Sequence, residues 1–151
     1  MKTVKKNVYY CEHCKKRSLS GGSMRKHESR CTNNPKRQCG LCDGGTNIGE
    51  QVDALKARFK INDEIHYYDS LQFGIATQDE YNVQVVEWIG KPITMAEIND
   101  IADNCPNCTL ALLRQAGLNR YYFKELLTPY DYKKEFKEYS DMKFKEQQEE
   151  Y

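Results

Sequence analysis

The sequence predicts an α+β protein, mainly helical, with a small N-terminal metal-binding unit and a helical body held together by a second metal site. Seven cysteines and one well-spaced histidine fall at the intervals of two four-ligand metal sites. Helical patterns dominate the second half of the chain. Hydrophobic residues make up only 39% of the 151 residues, against 30% charged, so metal ions are expected to supplement a lean core.

The first ligand set has the spacing Cys11-x2-Cys14-x12-His27-x3-Cys31. Two cysteines three positions apart hold an ion from a tight turn. His27 and Cys31 are four positions apart, so a helix places both on one face toward the same ion. The spacing follows C-x2-4-C-x12-H-x3-5-H, with cysteine in place of the final histidine.

The second set pairs two further C-x-x-C motifs, Cys39/Cys42 and Cys105/Cys108, which use all the remaining cysteines. Zinc is the expected ion, giving two zinc ions per chain, because cysteine and histidine are its usual structural ligands. Two alternatives stay open for these cysteines. One is an iron–sulfur cluster. The other is a redox-active C-x-x-C at Cys105, which would need a βαβ context.

The other elements are predicted from periodicity and helix-end signals. Residues 61–90 are mixed apolar and fit short strands or short helices, and a helical insert is expected between the two C-x-x-C pairs. Three domains are expected, at 1–35, 36–128 and 129–151. The predicted elements, in chain order, are a strand at 8–10, helices at 24–31 and about 48–60, a capping-box helix opened by Thr94 and Glu97, a helix at 109–115 ended by Gly117, and a charged helix at 131–148.

The near-neutral net charge hides an asymmetry. Residues 1–45 hold 11 Lys/Arg against 3 Asp/Glu, and residues 46–151 hold 12 against 19. A basic module on an acidic body indicates an anionic partner for the first part alone. The residues expected to contact nucleic acid are Lys15, Lys16, Arg17, Arg25, Lys26, Arg30, Lys36 and Arg37.

Residues 8–32 resemble a Cys2His2-type zinc finger in its Cys2HisCys form. This resemblance implies a ββα unit, in which Leu19 replaces the usual apolar residue, because Ser18 stands four after the second cysteine. The second ligand set resembles a treble clef, in which a zinc knuckle and a helix start share one ion. The whole chain is similar to small phage proteins that join a finger to a later Cys-Pro-x-Cys and a helix ending in Arg-Gln-x-Gly, here 114–117. That family carries no known activity, and the resemblance implies a bacterial host.

The sequence favours binding over catalysis, because four protein ligands leave no open position on either ion. The leading hypothesis is a nucleic-acid-binding zinc protein whose tyrosine-rich C-terminal part holds a protein partner or a second copy. One alternative is a phage factor that acts on a host protein. Another is a treble-clef-type nuclease using His66, which lies among carboxylates. No small-molecule substrate and no membrane span are expected, and the absence of a secretory signal predicts a cytoplasmic protein.

Overall fold

The computed structural model describes residues 1, 3–42, 48–118 and 130–149. These form an α+β fold with helices and two antiparallel hairpins, which confirms the predicted mixed class. No described helix combines the length and the hydropathy needed to cross a membrane. The elements in chain order are β1 Tyr9–Tyr10, β2 Arg17–Ser18, α1 Gly21–Arg30, α2 Gly49–Lys56, β3 Phe59–Gln72, β4 Ile75–Trp88, α3 Met95–Ile101, α4 Pro106–Ala116 and α5 Tyr132–Glu149.

The N-terminal unit is a short hairpin followed by α1. Tyr9 pairs with Ser18 across the hairpin. Helix α1 starts earlier than predicted because Ser20 caps it, its side-chain oxygen accepting the Ser23 N–H at 3.3 Å. The ring of Tyr9 covers Gly21 so closely that an added Cβ would lie 3.3 Å from it. The ββα arrangement therefore forms around a glycine that admits the aromatic ring.

This unit has a very small core. Cys11, Met24 and Cys31 are its buried hydrophobic residues among those described. Leu19 is 64% exposed, so the expectation that it fills the usual apolar position is wrong. A three-residue core cannot offset the entropy lost on folding, which leaves bound metal as the natural source of stability.

The segment between Cys42 and Cys105 was expected to be a helical insert, and the structure corrects this expectation. Strands β3 and β4 form one long antiparallel hairpin, with Phe59 opposite Trp88 at its base and Gln72 opposite Ile75 at its tip. Helix α2 accordingly ends at Lys56 instead of running to about 60. The body is thus helical on either side of a two-stranded projection.

The main core lies between α2, α3 and α4. Ile98 and Leu112 are fully buried there, and Leu55 is 2% exposed. Among the described residues, the hairpin joins this core at its base. Val86 and Trp88 pack against the core there, and the rings of Phe59 and Trp88 meet edge to face with centroids 5.8 Å apart. The apolar stripe that the sequence shows on each of these helices faces the other helices, so the packing here agrees with the sequence pattern.

Helix ends in the body are set by local chemistry, as predicted. Thr94 and Glu97 form both hydrogen bonds of a capping box at the start of α3. Gly117 ends α4 in the left-handed conformation, with φ of 83°. The Leu118 N–H then bonds back to the Leu113 carbonyl at 2.8 Å.

Helix α5 packs against the start of α4. The Tyr132 hydroxyl donates to Asn107 Oδ1 at 2.6 Å. Tyr132 and Tyr139 are half-buried, whereas Phe136 is 38% exposed. The sequence also predicts that Tyr121, Tyr122 and Phe123 pack on the body, and these residues lie outside the described part of the chain.

Candidate metal centres

Cys11, Cys14, His27 and Cys31 come together as the spacing predicts. Their ligand atoms all lie within 4.8 Å of one another, and Cys14 Sγ lies 3.1 Å from His27 Nε2. Cys11 and Cys31 are buried, and the other two are half-buried. The group is partly shielded from solvent and has the donor set of a structural metal site.

The local backbone explains how the first pair converges. Strand β1 ends just before Cys11, and the chain then turns back through Lys15, whose φ is 60°. The Lys15 N–H bonds the Cys11 carbonyl at 3.0 Å, and the Cys11 N–H bonds the Lys16 carbonyl at 2.8 Å. These bonds fold the C-x-x-C motif into a tight knuckle, which aims both sulfurs at the helix.

Cys39, Cys42, Cys105 and Cys108 form the second cluster, again within 4.8 Å of one another. Cys105 is the N-cap of α4, and Cys108 lies in its first turn. The Leu41 N–H points at Cys39 Sγ at 3.5 Å, as in a knuckle. Both pairs named by the sequence therefore meet across 62 intervening residues, between Cys42 and Cys105.

The sulfur separations in this cluster fit a single metal ion. Cys39 Sγ lies 3.7 Å from Cys105 Sγ, and Cys42 Sγ lies 3.7 Å from Cys108 Sγ. A tetrahedral ion with bonds of about 2.3 Å to sulfur separates its ligands by about 3.8 Å. A disulfide needs only about 2.05 Å. The cluster is thus spaced for four ligands around one ion, and its cysteines are unpaired.

The protein environment moves the pKa values of the thiols in opposite directions. Hydrogen bonding to Cys105 lowers the pKa of Cys108 to about 5, and Arg37 acts in the same direction. The same contact with Cys108 raises the pKa of Cys105 far above its usual value. In the first cluster, burial raises the pKa of Cys31 to about 11. Ionisation of one thiol thus disfavours ionisation of its neighbour. A bound cation would allow all of the thiols in a cluster to ionise together.

Arg37 is buried beside the second cluster, away from solvent. It is 1% exposed, and its Nη1 donates to Cys108 Sγ at 3.6 Å. Its Nε has no hydrogen-bond partner among the described residues. Burial alone would lower the pKa of Arg37, but the contact with Cys108 raises it. The guanidinium therefore offsets the negative charge of the thiolates. In the sequence, the only indication of this role is that Arg37 stands two residues before Cys39.

Arg114 and Gln115 of α4 hold the segment that follows the first cluster through hydrogen bonds, called the clasp, that the sequence did not indicate. Arg114 Nη1 donates to Thr32 Oγ1 at 2.6 Å. Gln115 Nε2 donates to the carbonyls of Thr32 at 2.9 Å and Asn34 at 3.1 Å. Thr32 directly follows the ligand Cys31. The Arg-Gln of the 114–117 motif thus holds the segment that joins the two clusters.

Most of the predicted phosphate-contacting residues are on the surface. Arg37 is the exception, for the reason given above. Arg30 packs over the second knuckle, since a Cβ on Gly40 would lie 3.4 Å from its Nε. None of the exposed members forms an ion pair with a carboxylate in the part of the chain described. These exposed members are Lys15, Lys16, Arg17, Arg25, Lys26, Arg30 and Lys36.

His66 lies in the middle of β3, remote in sequence from both clusters. Its Nε2 is 3.1 Å from Glu64 Oε2, with both side chains close to half exposed. Within the described ranges, the only groups of three or more metal-ligating side chains are the two cysteine clusters. Among the described residues, the fold therefore brings no further metal ligand to His66 that would support the nuclease hypothesis.

No protein-family model matches the chain, and comparisons with curated proteins and with solved structures find no match. The resemblances to zinc fingers, treble clefs and phage proteins therefore rest on the motifs alone.

A redox-active C-x-x-C at Cys105 would need a βαβ unit around it. The element that precedes Cys105 is helix α3, so the strand of a thioredoxin-like βαβ unit does not stand there.

Proposed function

We propose that this protein binds two structural zinc ions and contacts nucleic acid through its basic N-terminal finger, residues 8–34, and that it is not an enzyme. The observation that carries the proposal is the pair of four-ligand clusters. Each provides a full tetrahedral set, so neither leaves a position at which an ion would activate water.

Zinc is favoured over an iron–sulfur cluster at both sites. Three cysteines with one histidine, and four cysteines held by knuckles, are both typical ligand sets of structural zinc. An iron–sulfur cluster carries its own sulfides between the cysteines, so it would spread the sulfurs beyond the 3.7 Å found here. Native mass spectrometry and elemental analysis of protein purified without added metal should give two zinc ions per chain. Iron at the second site, or one ion only, would contradict this assignment.

The case for nucleic acid rests on six exposed basic side chains of the finger and on Lys36 just after it, which have no carboxylate partners among the described residues. Free cations on one small unit attract phosphates without being neutralised by their own protein. Binding to single-stranded and double-stranded DNA and RNA can be followed by fluorescence anisotropy at several salt concentrations. Phosphate contacts predict that log K falls linearly with log salt.

A matched pair of variants tests the surface directly. Lys15→Gln, Lys16→Gln and Arg17→Gln together remove three charges from the finger. Lys133→Gln, Lys137→Gln and Lys145→Gln remove three from exposed positions of α5. The finger variant should lower the salt slope by roughly three and weaken binding, and the α5 variant should change little.

Three outcomes would contradict the proposal. Equal loss in both variants would mean net charge alone attracts the polymer. No binding to any nucleic acid by zinc-loaded protein would leave the finger as a folding unit and favour a protein-interaction role. Metal-dependent cleavage that His66→Ala removes would instead support the nuclease.

A further inference from the structure

The hairpin beyond its base, residues 61–85 and called the arm, projects from the body with no covering layer among the described residues. Its strands are about 40 Å long at roughly 3.3 Å per residue. Large apolar side chains on it are exposed, including Ile65 at 56% and Tyr67 at 60%. Two-stranded hairpins are marginal in water on their own. An arm of this length with exposed apolar residues indicates that another surface covers it.

The tip of the arm points to contact with a partner. Phe73 and Gly74 form the two-residue turn, with φ of 53° and 78°. Such turns prefer Asn-Gly, because a left-handed backbone disfavours bulky side chains. Phe73 is nevertheless wholly exposed at 102%, so no described residue covers it to offset this strain. Leu71 at 78% and Ile75 at 66% flank it. A strained, exposed aromatic at a projecting tip is typical of an anchor.

The charge of the arm restricts what it binds. It carries five carboxylates and no lysine or arginine, and the stretch 70–78 at the tip is uncharged. Phosphate polymers and anionic lipid surfaces would be repelled by such an arm. The complementary surface is a protein with an apolar recess bordered by cations.

The finger of this same protein has such a surface. A recess of about 340 Å³ is lined by Val8, Arg17, Ser18 and Leu19. Val8 is 43% and Leu19 64% exposed, and the lysines Lys15 and Lys16 are close in sequence. Because no described residue of its own chain covers Phe73, the recess it fills would belong to another copy.

We propose that the protein self-associates head to tail, with the arm tip of one copy seated in the finger recess of a second copy. Phe73 is the anchor, and Arg17 with its neighbouring lysines pairs with the carboxylates of the arm. This inference does not depend on nucleic-acid binding, although the two would compete for one basic surface.

The test is sedimentation analysis of the zinc-loaded full chain over a concentration series, at about 0.1 M and about 1 M salt. The Debye length falls from about 10 Å to about 3 Å between these conditions, so association should weaken at high salt. Phe73→Asn should weaken association by roughly 30-fold, as for loss of an aromatic anchor. It should not lower the thermal unfolding midpoint, because asparagine suits this turn.

Arg17→Glu tests the other half of the contact, and Lys137→Glu on α5 is its matched control. Arg17→Glu should lose association while retaining two metal ions, and Lys137→Glu should behave as the unmodified chain. A mixture of Phe73→Asn and Arg17→Glu proteins should form a heterodimer, because one keeps an intact finger and the other an intact arm. Arm-to-arm pairing predicts no such rescue.

A chain that stays monomeric at low salt across the series would overturn the proposal. So would association that survives in Phe73→Asn or Arg17→Glu, since a different surface would then be responsible. Failure of the mixture to associate when both single variants are monomeric would also exclude the head-to-tail arrangement.

Discussion

Replacing Arg37 by methionine removes a buried charge while keeping a side chain of similar length. In the structure this guanidinium is 1% exposed and lies 3.6 Å from Cys108 Sγ. Four thiolates around a divalent ion would carry a net charge of about −2, and among the described residues Arg37 is the cation that contacts them. Arg37→Met should therefore weaken metal binding at the second cluster and leave the first cluster nearly unchanged.

The magnitude follows from the contact distance. Unit charges 3.6 Å apart attract by roughly 4.6 kcal/mol at an effective dielectric constant of about 20. The desolvation of a buried guanidinium offsets part of this attraction. Loss of a group that supports metal ligands commonly lowers affinity by about 10- to 100-fold, or roughly 1.4 to 2.7 kcal/mol. We expect Arg37→Met to fall in that range.

Competition with a chromophoric chelator measures the two affinities, and cobalt substitution reports which cluster has lost its ion. Arg37→Lys keeps the charge and should recover part of the affinity. Arg25→Met, a change of the same kind at an exposed position of α1, is the control. Unchanged affinity at the second cluster in Arg37→Met would refute the charge-compensation argument. Equal weakening at both clusters would show a general loss of folding instead.

Three further predictions concern stability and are measured by chemical denaturation of the metal-loaded protein. Gly117→Ala should destabilise by about 1 to 2 kcal/mol, because φ of 83° is unfavourable for alanine although nothing lies within 4 Å of the added Cβ; an unchanged midpoint would argue against that conformation. Gln115→Ala should cost about 1 to 3 kcal/mol, since the carbonyls of Thr32 and Asn34 lose their donor, and hydrogen exchange at 32–34 should rise; protection equal to that of the unmodified chain would count against the clasp. Thr94→Ala should cost about 1 kcal/mol and Thr94→Ser much less, because serine retains the capping oxygen; equal losses would mean the methyl group matters instead.

Features that depend on neighbours along the chain were predictable. The ligands of each C-x-x-C pair and of the His27/Cys31 pair are brought together by a turn or by one turn of helix, so their spacing alone indicates the geometry. Thr94 and Glu97 form their capping box for the same reason. That Cys39 and Cys42 share a site with Cys105 and Cys108 was predicted by a different argument, because no other cysteines remained to complete a second set.

The long hairpin was missed because its local signals are weak. Phe73-Gly74 is not the Asn-Gly or Asp-Gly pair that marks a tight hairpin turn. In β3 the apolar residues fall mainly at odd positions but are interrupted by Asp63 and Asp69, and in β4 apolar residues occur on both faces. With no buried face to fix a period of two, periodicity could not separate strand from helix.

The sequence by itself determined the ligand sets, the helix ends and the mixed fold class, because each depends on residues a few positions apart or on composition. Only the tertiary structure decided that Arg37 faces the second cysteine cluster, that Arg114 and Gln115 hold Thr32, and that no other described element covers the arm. Arg37 is 71 residues from the cysteine it contacts, and Arg114 is 82 residues from Thr32. Contacts over such separations depend on how the helices pack in three dimensions, which leaves no periodic trace in the chain.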